Sequence, residues 1–317
     1  MRDPIPGRTC PISYRYGAHA LQGPPQLHVD TLWIAGGLYG NTLALQALLD
    51  AYAAEPGSKA LVFNGDFHWF DVDPREHELV NETVLAFHAI RGNVETELAN
   101  PGEQADCGCA YPDWVGDATV EHSNHIVERL RTTARQQPGL DRLAGLPMHL
   151  VARVGEARVG IVHGDAESLA GWGFSQEALS FPEGYAAAQA ALTSAGVDVF
   201  ASSHTCLPVM QSFANGVVVN NGASGMPNFS GETCGVVTRI SVEPGDGALY
   251  GAQRSGVSIE AVPLRYDARA WQTRFLAQWP PGSSAHRSYW ERMTNGPRYS
   301  RKQALRVARS VPASAGR

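Results

Sequence analysis

The chain has 317 residues, 44% hydrophobic and 18% charged, with a formal net charge of -6 at pH 7. That composition suits one soluble domain with decorations, and the acidic balance leaves no electrostatic footprint for a nucleic-acid polymer. No signal-type start and no apolar stretch of the roughly 20 residues that cross a bilayer are seen, so a cytoplasmic protein without a membrane partner is expected. Cys10, Cys107, Cys109, Cys206 and Cys234 are an odd and sparse set for this length, which predicts thiols instead of a disulfide framework. Nothing in the sequence speaks to oligomeric state.

Residues 1–29 are proline-rich and without periodicity, and are expected as an N-terminal arm whose Tyr14-Arg15-Tyr16 packs on the core. The main domain is expected over residues 30–266. Its apolar run at 31–35 suits a buried strand; Gly36-Gly37 ends it, and Asn41 can cap a helix through Leu43, Leu45, Leu48 and Leu49. Residues 60–64 read as a second buried strand ending at Gly65-Asp66, 79–88 as a helix, and 89–91 as a short strand leading into Gly92-Asn93. Between about 95 and 147, a loop with Cys107-Gly108-Cys109 and a polar helix over about 118–136 predict an inserted helical cap. Residues 148–154 and 157–162 read as a hairpin delivering His163, 184–195 as a helix, and 197–202 as a strand delivering His204. Later strands are expected at 216–221 and 233–242. Residues 267–317, rich in Trp and Pro and then basic, read as a C-terminal appendage. The alternation of strands and helices predicts an α/β fold with a largely parallel sheet and active loops at strand ends.

Four residues of metal-ligating type directly follow these strands: Asp66, Asn93, His163 and His204. A divalent or trivalent transition ion such as Mn, Fe or Zn takes carboxylate, imidazole and carbonyl-type oxygen ligands from loops that a rigid sheet holds still. Singly each is weak, because a Gly-Asp or Gly-Asn pair is commonly a plain turn and a single histidine is commonly structural. In the order Gly65-Asp66, Gly92-Asn93, His163-Gly164 and Ser203-His204-Thr205-Cys206 they resemble the calcineurin-like metallophosphoesterase family. Residues 217–227, with Asn220-Asn221-Gly222-Ala223-Ser224, and Leu143-Ala144-Gly145-Leu146-Pro147 are similar to its small bacterial phosphodiesterase branch. The resemblance covers about residues 31–242. It implies a two-sheet α/β sandwich flanked by helices, with a strand-end metal site beneath the cap.

The resemblance further implies two ions bridged by Asp66, with Asn93, His163 and His204 completing one site. The other site would need an aspartate and two histidines where this chain has Gly37, Tyr39 and Cys206. One reading is a mononuclear site with open positions for water and substrate. In another, Tyr39 phenolate and Cys206 thiolate, helped by His68, rebuild a second site around a softer or more oxidised ion. In a third, the two residues only fill space left by a lost ion. The family's asparagine motif often continues with an acid-catalysing histidine, but here Val94 follows, so His68 is the expected replacement acid. Glu95, Asp165 and Asn41 are expected to orient the ligands from behind.

His122 and His125 share a helix face and are expected in the cap, and the spacing of Cys107 and Cys109 is wrong for a thioredoxin-type pair. Arg298, Arg301, Lys302, Arg306 and Arg309 read as a solvated basic face. The expected function is metal-dependent hydrolysis of a small phosphomonoester or phosphodiester. The alternatives are a noncatalytic phosphate- or nucleotide-binding scaffold, and a redox-metal enzyme using Tyr39 and Cys206.

Overall fold

The computed structural model describes residues 6–99 and 106–308. Arg309 and the 100–105 part of the expected cap lie outside the described residues. In chain order the first half contains β1 (Leu27–Val29), β2 (Thr31–Ala35), α1 (Thr42–Ala54), β3 (Lys59–Asn64), α2 (Pro74–Val84), β4 (His88–Ile90) and α3 (Asn93–Ala99). Then come α4 (Asp117–Ala134), α5 (Leu140–Ala144), β5 (His149–Val154), β6 (Ala157–Val162), α6 (Pro182–Ala195), β7 (Val199–Ser202), β8 (Val209–Ser212) and β9 (Val217–Asn220). The last part holds β10 (Gly235–Ser241), β11 (Tyr250–Arg254), β12 (Val257–Leu264), α7 (Ala268–Gln278), α8 (Ser284–Asn295), α9 (Arg301–Ala304) and β13 (Leu305–Arg306).

These strands form two sheets, ordered β1-β5-β6-β7-β9-β8-β13 and β11-β12-β10-β2-β3-β4. Alternate residues of each central strand feed different hydrophobic layers. Leu32 and Ile34 of β2 and Ala60 and Val62 of β3 meet Val159, Ile161, Val199 and Ala201 between the sheets. Trp33, Ala35, Leu61 and Phe63 point the other way, into a layer with Leu45 and Leu48 of α1. Because both faces are covered, these strands read as continuous apolar runs instead of alternating ones. Helix α1 starts where Asn41 Oδ1 accepts from the amides of Leu43 and Ala44, and α2 where Asp73 Oδ1 accepts from the amides of Arg75 and Glu76, with Pro74 at the first helical position.

The sheets are mixed where the alternation predicts a largely parallel one. β2, β3 and β4 run parallel, but β10 pairs antiparallel with both β2 and β12, and β5 with β6. The arm joins the structure through β1, parallel to β5, and Tyr14 is buried.

Residues set apart as an appendage supply Trp271, Phe275, Trp279 and Met293 to the same core layer as Trp33 and Phe63. Truncating a buried ring such as Phe275 to Ala costs about 3–5 kcal/mol, so this segment contributes to stability. Helix α8 lies against the cap helix α4: His122 Nδ1 is 2.9 Å from Ser288 Oγ, and Arg129 lies over the Trp279 ring. Two residues of the basic face are paired, Arg301 on Glu232 and Arg306 on Gln176 and Ser180. No helix among the described residues is long and apolar enough to cross a membrane.

Candidate metal centre

At the ends of β3, β4, β6 and β7, four loops bring Asp66, Asn93, His163 and His204 together, all at most 5% exposed. Glycines permit the approach: a Cβ on Gly92 would stand 2.2 Å from Asp66 Oδ1, and one on Gly65 would stand 2.6 Å from the Gly92 nitrogen. Glu95 ties the two loops together. Its carboxylate accepts from the amides of Asp66 (2.8 Å), Gly92 (2.8 Å) and Phe67 (3.0 Å). Burial and then the neighbouring Asp66 push its pKa up. Asp66 Oδ1 accepts from Val94 N at the start of α3, where the helix dipole favours negative charge.

The outward-facing atoms of the ligand side chains are all committed, and to acceptors. His163 Nδ1–H donates to the Asn64 carbonyl (2.8 Å), His204 Nε2–H to the Cys109 carbonyl (3.1 Å), and Asn93 Nδ2 to the Cys107 carbonyl (2.8 Å). Carbonyls only accept, so these bonds set the tautomers and the amide orientation. The inward atoms are then lone pairs facing one another. Asn93 Oδ1 and His204 Nδ1 each lie 3.2 Å from His163 Nε2, and Asp66 Oδ2 lies 3.3 Å from it. Donor bonds of about 2.0–2.2 Å to one ion would space neighbouring ligand atoms by about 3.0–3.5 Å. The three spacings to His163 Nε2 fall in that range, and the Asp66, His163 and His204 donors all lie within 4.8 Å of one another, so the group could hold a metal ion.

Burial pushes the His163 pKa down, but Asp66 outweighs it and holds it above the ordinary 6.5. Burial and then His163 push His204 down to about 3, which keeps it neutral. Asp66 is raised by burial, yet His163 more than offsets this and leaves it below its usual value.

Gly37, Tyr39 and Cys206 stand beside this set. Tyr39 Oη is 2.9 Å from Cys206 Sγ, and the ring folds back over Gly37, where a Cβ would lie 2.9 Å from it. Tyr39 (φ 57), Asp66 (φ 51) and Cys206 (φ 62) all adopt left-handed backbone without being glycine. Each such residue costs about 1–3 kcal/mol and persists where the surroundings over-determine it.

Several expected roles change. His68, the expected acid, is fully buried and points out of the cavity: its Nδ1 lies 2.6 Å from Asp71 Oδ2, and its ring stacks on His77. Trp69, the next residue, reaches the cavity instead. Asn41 caps α1 and donates to the Gly225 carbonyl, and Asp165 accepts from the amides of Glu167, Ser168 and Gly173, shaping the loop that presents Trp172. Neither touches a ligand side chain. Cys107 and Cys109, expected as thiols, are disulfide-bonded, and their carbonyls orient Asn93 and His204.

The sequence reading passed over the walls: Trp69, Tyr111, Trp172 and Tyr289 close a cavity of about 30 Å³ over the ligands. Trp69 and Trp172 lie within ten residues of a ligand, a proximity that could have drawn attention. Tyr289 arrives from α8, and no local signal marks it. Size does not mark the site: a groove of about 790 Å³ lies at the opposite end of β2, where Arg239 is already paired with Glu55 and Glu260.

Among solved structures, a hypothetical protein from Pyrococcus horikoshii superposes with a TM-score of 0.58 at 16% identity, covering 85% of this chain and 99% of that one. A metallophosphoesterase from Sphaerobacter thermophilus superposes with a TM-score of 0.54 at 15% identity, covering 85% of this chain and 100% of the other. The fold is that of a metallophosphoesterase. No protein-family model matches the sequence, and no curated protein matches it either. On this metallophosphoesterase fold the four candidate ligands sit at strand ends, where open α/β sheets place their sites.

Proposed function

We propose that the chain is a metal-dependent phosphoester hydrolase built around one ion held by Asp66, Asn93, His163 and His204. The observation that carries this reading is the convergence of four lone-pair donors whose remaining hydrogen-bonding atoms are spent on backbone carbonyls and amides. When bound, such an ion lowers the pKa of water and withdraws charge from a phosphoryl oxygen. The chain's own part is positional. Glu95 sets the Asp66 and Gly92 loops at fixed distance, and the Cys107 and Cys109 carbonyls keep the lone pairs of Asn93 and His204 turned inward.

Charge narrows the substrate. Asp66 contributes the single negative charge of the ligand set, so a divalent ion leaves the centre with one net positive charge. Among the described residues, no lysine or arginine lines the cavity. A singly charged phosphodiester suits that balance better than a doubly charged monoester or a polyphosphate. The test is turnover of bis(p-nitrophenyl) phosphate against p-nitrophenyl phosphate, with metal counted on the same samples. Faster diester turnover that Asp66→Ala removes together with the ion is expected; turnover that survives loss of the ion would sink the assignment.

One observation favours a second reading, in which the ion serves structure alone: the cavity of about 30 Å³ has room for one water-sized species. In that case the ion raises the melting temperature while neither ester is turned over.

A further inference from the structure

We propose that Tyr39 is a substrate-binding residue whose phenolic O–H donates a hydrogen bond to a phosphoryl oxygen, supplying from a neutral side chain the contact that a second cation would otherwise make. The role rests on the hydrolase reading above. Tyr39 Oη lines the same small cavity as Asp66 and His204, and its resting partner is Cys206 Sγ at 2.9 Å. The thiol hydrogen has a destination of its own, because Cys206 Sγ donates to the His204 carbonyl at 3.3 Å. The phenolic hydrogen therefore rests on sulfur, a weak acceptor. An anionic phosphoryl oxygen is a far stronger one, and exchange of sulfur for oxygen is favourable.

Most other groups near the cavity are committed. His68 is spent on Asp71, Val94 has no donor in its side chain, the Tyr111 hydroxyl is held by Ser123 at 2.9 Å and the Trp172 indole donates to the Cys109 carbonyl. Trp69 Nε1, without a partner, is a second neutral donor on the same wall. The loop carrying Tyr39 is fixed from several sides. The Tyr39 amide donates to the Asp66 carbonyl, the Gly40 amide to the Phe67 carbonyl, and the Phe70 amide to the Tyr39 carbonyl. Cys206 is held as firmly, with the Arg292 guanidinium donating to its carbonyl at 2.7 Å. Gly37 leaves room for the ring, since any Cβ there would strike the phenol. The phenol is thus a preorganised donor next to the ion-binding lone pairs, with a partner it can give up.

The experiment uses the metal-loaded full chain and inorganic phosphate as the probe, with calorimetric affinities, elemental analysis and melting temperature taken on the same preparations. Tyr39→Phe is expected to keep about one ion per chain and to weaken phosphate binding by about 10- to 100-fold, the effect of losing a hydrogen bond to a charged group. Cys206→Ala, which removes only the resting partner, is expected to keep both the ion and phosphate affinity within about threefold. Unchanged phosphate affinity in a folded, metal-loaded Tyr39→Phe protein overturns the role. So does loss of an ion in that variant, which would make Tyr39 a ligand. A wild-type chain that holds its ion yet turns over neither bis(p-nitrophenyl) phosphate nor p-nitrophenyl phosphate overturns the hydrolase reading itself, and a metal-loaded wild-type chain that binds no phosphate overturns the Tyr39 role; both outcomes are seen before any variant is made.

Discussion

Two buried histidine–carboxylate clusters flank the same loop: Asp66, His163 and His204 on one side, and His68, Asp71 and His77 on the other. In residue type they are alike, and their hydrogen bonds differ, although His77 Nδ1 in the second also has no partner at hydrogen-bond range. In the first, the far ring nitrogens are used up on carbonyls and the near ones face lone pairs. In the second, Asp71 Oδ2 lies between its partners, 2.6 Å from His68 Nδ1 and 3.6 Å from His77 Nδ1, and Asp71 Oδ1 accepts from the Trp69 amide. Its two imidazoles stack 4.0 Å apart with planes 18° from parallel. Lone pairs lie in the ring planes, so rings stacked face to face cannot both aim at one ion. The first cluster turns its lone pairs inward and the second is an internal strut between α2 and the ligand loop. Ligand-type residues in proximity do not make a metal site; unpaired lone pairs in proximity do.

Substitutions that separate the two clusters should have very different consequences. The largest effect is expected from Asp66→Ala or His204→Ala, which should take the ion from about one per chain to none and abolish metal-dependent turnover. His77→Ala should leave the elemental count unchanged, and an ion lost there would make the strut a second metal site. Next in size, Asp71→Ala should destabilise the fold by about 3 kcal/mol in denaturant melts, because two buried histidines lose their shared carboxylate. An intact ion count in that variant would complete the separation.

Smaller effects sharpen the same contrast. Glu95→Gln keeps the shape but weakens the acceptor for the Asp66 and Gly92 amides, and about 10- to 100-fold weaker metal binding is expected from a competition assay. Metal binding should release protons, more as pH falls, since Asp66 holds the His163 pKa above the ordinary 6.5 and the ion must displace that proton. Calorimetry in two buffers of different ionisation enthalpy reads this directly, and zero release would mean His163 is already neutral. At Asp71, burial raises the pKa but His68 and His77 more than offset it, holding it below the ordinary 3.8. Its contribution to stability is thus fully present above about pH 4 and lost as pH falls toward the depressed value. Asp71→Asn should flatten that part of the acid unfolding curve.

The four candidate ligands were legible as strand-end residues because each follows a strand within three residues and is announced by a glycine or a neighbouring polar pair. Such positions depend on local chain geometry, and the apolar runs at 31–35 and 60–64 mark their strands directly. The direction of His68 was not legible. Glu95, nearly thirty residues on, gathers the amides of 66 and 67 and so decides which loop side chains face the cavity. Tyr289 was invisible for the same reason, since its place comes from packing α8 on the cap helix through contacts such as Ser288 with His122. The paired cysteines were misjudged because a sparse, odd count describes a whole chain, while a bond depends on two positions.

By itself the sequence determined the α/β alternation, the order of the candidate ligand loops and the Gly, Tyr and Cys side chains at Gly37, Tyr39 and Cys206, all of which follow from residue type and short-range spacing. Only the tertiary structure decided which lone pairs are spent and which are free, that Tyr39 leans on Cys206 beside the ligands, and that the C-terminal helices wall the cavity. Those are properties of atoms from distant loops meeting at hydrogen-bond range, and no local pattern along the chain encodes them.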